Sequence, residues 1–120
     1  MQAVEIRKDI YWVGAIDWSM RSFHGYATSR GSTYNAYLII DDKITLIDTV
    51  KAEFSEELLA RVSSVIDPAR IDYIISSHVE PDHSGAIPFM AQHCPNAKII
   101  TSLPNGLKGL KAHYGELSYE

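Results

Sequence analysis

With 120 residues, 46% hydrophobic and 22% charged, the chain has apolar material for one core of moderate size, which excludes disordered and collagen-like classes. A formal net charge of −4, with 11 Lys and Arg scattered along the chain, gives no footing for nucleic acid. No apolar run is long enough to span a bilayer and residues 1–7 lack a signal-peptide core, so a cytoplasmic protein with no membrane partner is expected. The single Cys94 agrees with a reducing compartment and reads as an ordinary buried thiol.

Residues 10–13, aromatic and β-branched after the charged Arg7, Lys8 and Asp9, read as a first strand. Residues 14–33 keep no period of two or 3.6 and read as one long loop, a length that in a compact domain is usually functional or disordered. Its aromatics Trp18, Phe23 and Tyr26 argue for order. Residues 34–40 and 43–48 read as a tight antiparallel hairpin turning at Asp41 and Asp42. An amphipathic helix follows over residues 53–66, with Phe54, Leu58, Leu59, Val62, Val65 and Ile66 on its apolar side. Glu56 and Glu57 suit its N-terminal dipole, and Pro68 stops it.

Residues 71–76 are a buried-strand run, and Pro88 places the start of the next helix near Ile87. Cys94-Pro95-Asn96 breaks the pattern. Residues 97–101 form another strand, and residues 104–114 a helix with Leu103, Leu107 and Leu110 on one face. An early hairpin followed by βα units makes an α/β fold with a mixed sheet covered by helices, and ligands in such folds gather at strand C-terminal ends.

At one such end, His78, Glu80, Asp82 and His83 fall within six residues. Two imidazoles and two carboxylates suit iron, manganese or zinc, the carboxylates moving preference toward harder ions. On an extended segment, alternate residues His78, Glu80 and Asp82 would converge on one side, with His83 offering a second direction, so two metals are served more easily than one. The bland alternative is a turn in which Asp82 or Ser84 caps the following helix.

The run His78-Val79-Glu80-Pro81-Asp82-His83-Ser84-Gly85 resembles the HxExDH signature of flavodiiron proteins, a branch of the metallo-β-lactamase superfamily. Hydrolases of that superfamily usually carry a second His where this chain has Glu80. Residues 21–28, 31–38 and 46–49 are also similar to the family's N-terminal segment, so the resemblance covers nearly the whole chain. It implies an αββα-type metallo-β-lactamase-like fold, of which residues 1–120 would be the N-terminal half. It also implies two non-haem irons, one on His78 and Glu80 and one on Asp82 and His83. His24 would line the substrate side with Tyr26 close by. Asp48 would orient a ligand imidazole, or simply cap the turn after its strand.

For a parent protein the resemblance implies reduction of O2 to water or of NO to N2O, with electrons arriving through FMN on a flavodoxin-like domain downstream. The donor would be rubredoxin-like or a flavin, and the assembly a head-to-tail homodimer or higher oligomer. Further ligands would come from sequence beyond residue 120, since His93 and His113 match no family motif, so the chain alone is expected to be inactive. Two other readings stand beside this one: a zinc-dependent hydrolase using bound hydroxide, and a non-catalytic fragment.

Overall fold

The computed structural model describes residues 1–19, 22–23, 26–27 and 31–119, with backbone alone for 22–23 and 26–27. In chain order come β1 (Val4–Arg7), β2 (Ile10–Trp12), β3 (Ala15–Asp17), β4 (Ser22–Phe23), β5 (Tyr26–Ala27), β6 (Ser32–Tyr34), β7 (Tyr37–Ile39) and β8 (Thr45–Ile47). Then follow α1 (Ser55–Ser63), β9 (Tyr73–Ile75), α2 (Pro81–Ser84), α3 (Ile87–His93), β10 (Lys98–Ile100) and α4 (Asn105–Tyr114).

The main sheet has the spatial order β1-β2-β7-β8-β9-β10. Its first four strands pair antiparallel, and β8, β9 and β10 pair parallel. This is the mixed sheet expected from an early hairpin and later βα units. Register explains the core. Leu38 pairs with Leu46, Leu46 with Ile74 and Ile74 with Ile99, so one aliphatic row crosses four strands and is almost wholly buried. Burying each of these side chains contributes roughly 1.5–3 kcal/mol, and a one-residue slip in any strand would turn its member of the row to the other face. From the same side Leu58 and Val62 of α1, Ile87 and Met90 of α3 and Leu110 of α4 complete the cluster.

The structure departs from the sequence expectations at four places. Strand β1 was not anticipated, because Val4 and Ile6 are 52% and 50% exposed and an edge strand with no buried face leaves no pattern. Residues 14–33 are not one loop: β3 pairs with β6 and β4 with β5 in two small antiparallel ribbons. Tyr34 pairs with Ala15 in the first ribbon rather than lying in the hairpin strand, and its hydroxyl donates to buried Asp17 Oδ2 at 2.7 Å. A Cβ on Gly14 would stand 2.0 Å from the Tyr34 carbonyl oxygen, so only glycine permits that approach. Lastly, Leu103 is 76% exposed and precedes α4, leaving Leu110 as that helix's buried anchor.

The remaining helices follow their signals. A 3₁₀ turn at Ala52–Phe54 leads into α1, whose first turn carries Glu56 and Glu57. After it, Asp67 accepts from the Ala69 amide and Pro68 opens a second 3₁₀ turn. Pro88 sits in the first turn of α3, where its missing N–H leaves no intrahelical bond unmade.

Candidate metal centre

Parallel strands β8 and β9 end side by side, and everything in the site hangs from those two ends. Asp48, just past β8, donates its amide to Ile75 O at 2.8 Å. It adopts φ 61°, a left-handed conformation that Asp tolerates better than most residues. That bend turns the carboxylate across to the next loop, where Oδ1 accepts from the Ser77 amide at 2.8 Å and Oδ2 from the Ser77 hydroxyl at 2.5 Å. Asp48 therefore braces the loop after β9 and does not cap its own turn.

Beyond Ser77 the chain runs irregularly to Glu80, which is itself extended, and then Pro81 opens the single turn of α2. The Glu80 carbonyl accepts from the His83 and Ser84 amides, both at 2.9 Å. This turn changes the geometry expected of the cluster. Asp82 does not continue an extended alternation with His78 and Glu80. It is buried beside His83, while His78 and Glu80 pair with each other at the surface. Neither Asp82 nor Ser84 caps a helix: the side-chain caps of α2 and α3 are empty, and Ser84 instead donates to carbonyls.

The donors thus come as two pairs. His78 Nε2 lies 2.8 Å from Glu80 Oε1, both side chains about half exposed, and His83 Nε2 lies 3.3 Å from Asp82 Oδ2. The two imidazole rings stand edge to face with centroids 5.3 Å apart. On its other side, His83 Nδ1 is 3.5 Å from Asp48 Oδ2, too long to count as a hydrogen bond, and among the described residues this buried nitrogen has no hydrogen-bond partner.

These residues fit a metal on donor chemistry. Two ligand atoms on one ion, each about 2.1 Å away at tetrahedral or right angles, stand roughly 3.0–3.4 Å apart, close to the two N···O distances here. The orphaned Nδ1 faces a carboxylate, the partner that a metal-ligating imidazole ordinarily has on its outer nitrogen. Among the described residues, no three His, Cys, Asp or Glu side chains converge on one ion, so each pair offers two donors and no more.

His24 lies outside the described residues. Tyr26 is placed only by its backbone, in β5 opposite Phe23. His93 Nδ1 is 2.9 Å from the Phe89 carbonyl of its own helix, away from the cluster. Cys94 is buried and unpaired, as expected, and burial pushes its thiol up to about 12. The sequence marks Ser84 only as a candidate cap and gives no role to Ser77, Thr49 or Tyr114, yet all four hold the ligand loop. Ser77 and Ser84 adjoin the cluster and Thr49 follows Asp48, so proximity was a usable signal for those three.

Fold and site together define an α/β domain of the metallo-β-lactamase type, with its ligand loop at the C-terminal end of a parallel strand. The chain belongs to the ODP family beta lactamase, whose profile matches residues 33–117. It is 47% identical to a nitric oxide reductase of Moorella thermoacetica over 98% of this chain and 30% of that protein. Its structure matches the rubredoxin oxygen:oxidoreductase of Desulfovibrio gigas with a TM-score of 0.91 at 47% identity, over 99% of this chain and 30% of that one. The flavodiiron protein of Giardia intestinalis matches with a TM-score of 0.88 at 37% identity, over 96% of this chain and 28% of that one. The resemblance to flavodiiron proteins is thus borne out over nearly the whole chain, while the chain spans less than a third of these relatives' length. Among the described residues, no helix is long and apolar enough to cross a membrane.

Proposed function

We propose that this chain is the N-terminal portion of the lactamase-like domain of a non-haem diiron oxidoreductase that reduces O2 to water, NO to N2O, or both. The observation behind the reading is the pairing of His78 with Glu80 and of His83 with Asp82 on one loop. Glu80 supplies an oxygen donor where the superfamily's hydrolases usually have imidazole, which favours iron over zinc. The printed activities of the relatives, nitric oxide reductase and rubredoxin oxygen:oxidoreductase, point the same way.

In this reading His78 and Glu80 hold one iron and Asp82 and His83 the other, with the remaining ligands coming from other parts of the parent protein. Two irons held there would supply the redox chemistry that reduction of O2 or of a pair of NO molecules needs. The protein's own residues set that chemistry up. The Asp48 carboxylate, kept in place by Ser77, faces His83 Nδ1 at 3.5 Å and would orient that ring once Nε2 holds a metal. Glu80 and Asp82 carry the negative charge that favours oxidised metal. By the likeness to flavodiiron proteins, His24 and Tyr26 would line the substrate side, where an imidazole N–H at position 24 could donate to bound substrate.

Reducing O2 to two waters takes four electrons and four protons, and joining two NO as N2O and water takes two of each. Electrons therefore have to be relayed, here through FMN on a flavodoxin-like domain, from a rubredoxin-like or flavin donor. A head-to-tail homodimer would place one subunit's FMN by the other's irons. The test is metal and flavin content of the parent protein, together with O2 and NO consumption under a reduced donor. Zinc with ester or thioester turnover would instead support the hydrolase reading, and neither metal nor turnover the non-catalytic one.

A further inference from the structure

Beside the Asp48 brace on Ser77 and the bond from Ser76 Oγ to His78 O, two further grips hold the ligand-loop backbone, one on the carbonyls of Val79 and Glu80 and one on the carbonyl of His83. The Ser84 hydroxyl, wholly buried, lies 2.6 Å from Val79 O, 3.1 Å from Glu80 O and 2.8 Å from the Tyr114 hydroxyl. Ser84 has a single proton to give, and the carbonyls can only accept. Its proton goes to the carbonyls of Val79 and Glu80, so Tyr114 must donate to Ser84. A relay of Tyr114 O–H to Ser84 O–H to C=O thus ties the last turn of α4 to the segment bearing His78 and Glu80, each bond polarising the next.

The same helix touches that segment again at Gly109, where a Cβ would meet the Val79 side chain at 3.2–3.4 Å. The other pair is held from elsewhere. His83 O accepts from both the amide and the hydroxyl of Thr49, each at 2.8 Å, and its ring faces Asp48. Tyr114 takes no part in that grip.

We propose that Tyr114 is a positioning residue for the His78 and Glu80 half of the centre, acting through Ser84, so that α4 governs one metal position and not the other. The inference rests on the diiron reading for its metal arm. Its backbone arm stands without it.

The experiment compares the parent protein with Tyr114→Phe and Ser84→Ala, using Tyr119→Phe as control, since the Tyr119 hydroxyl donates to Gly115 O and never reaches the loop. In metal-free protein, amide exchange is expected to quicken about tenfold at Ser84, whose amide bonds to Glu80 O, and to stay unchanged at Thr49, whose amide bonds to His83 O. On titration with ferrous iron, one equivalent is expected to bind about tenfold more weakly and the other as before. At limiting iron the Mössbauer spectrum then changes from a pair to a single site. The double variant is expected to lose no more than either single one, because both break one relay.

If Tyr114→Phe lowers the melting temperature enough to blur exchange, Gly109→Ala presses on Val79 without removing a hydrogen bond, and should give the same one-sided weakening. Unchanged exchange and iron affinity in Tyr114→Phe would overturn the proposal, as would equal weakening of both irons. A wild-type protein that takes no iron would refute the diiron reading, and the exchange result would still decide the role of Tyr114.

Discussion

Replacing Asp48 by Asn removes one charge and almost nothing else, which makes it a sharp probe of how the centre is held. Asn tolerates the left-handed φ of 61°, so the backbone need not move. Its carbonyl can keep the Ser77 amide bond, and the Ser77 hydroxyl can rotate to accept from the new NH2. The loss to folding is then the difference between charged and neutral hydrogen bonds, about 1 kcal/mol. At His83 the effect is larger in kind. An NH2 facing Nδ1 3.5 Å away favours the tautomer with its proton on Nε2, the nitrogen that faces Asp82. Iron at that position is expected to bind about 10–100-fold more weakly, or roughly 1.4–2.8 kcal/mol. Chelator competition on the parent protein measures this, and Asp48→Ala should add a melting loss of roughly 1–2 kcal/mol for backbone strain alone. If Asp48→Asn binds iron within twofold of wild type, Asp48 does not orient His83.

Three further outcomes are expected. His24→Ala should slow turnover with both gases in a stopped assay on the parent protein, and unchanged rates with O2 and NO would remove His24 from the substrate side. Gly85→Ala would bring a Cβ to 2.6 Å from Pro81 O, 2.7 Å from Ala52 N and 3.1 Å from Val50 O. All three are backbone atoms that cannot swing aside, so a loss of roughly 2–3 kcal/mol is expected in thermal melting, and an unchanged melt would show that the loop can open. Burial raises the Cys94 thiol from its ordinary 9.0 to about 12, so the folded state holds a proton that the unfolded chain releases first. The stabilisation is complete below pH 9 and declines as pH climbs toward 12. Native protein at pH 8 should resist thiol reagents that label it in denaturant, and prompt native labelling would contradict the buried position.

The hairpin and the βα order were legible because Leu38, Leu46, Ile74 and Ile99 sit at the centres of short apolar strands, where burial imposes a strong pattern. The ribbons within residues 14–33 were not, since β4 and β5 span two residues each and β3 and β6 carry Asp17, Ser32 and Thr33, so no continuous apolar run marks them. The site was half legible. Residue types and strand position marked the cluster, but an extended reading put Asp82 on the wrong side, because Pro81 suits the first position of a helical turn as well as it suits an extended chain. The pairing of ligands came only with the resemblance to flavodiiron proteins. Tyr114 was out of reach altogether: it meets Ser84 across 30 positions, and nothing local to either residue announces the contact.

The most direct test of the account is the metal and flavin content of the parent protein, measured on one preparation. Two irons per chain with FMN absorbance are expected from His78 and Glu80, Asp82 and His83 acting as two ligand pairs. Two zincs without flavin would contradict it.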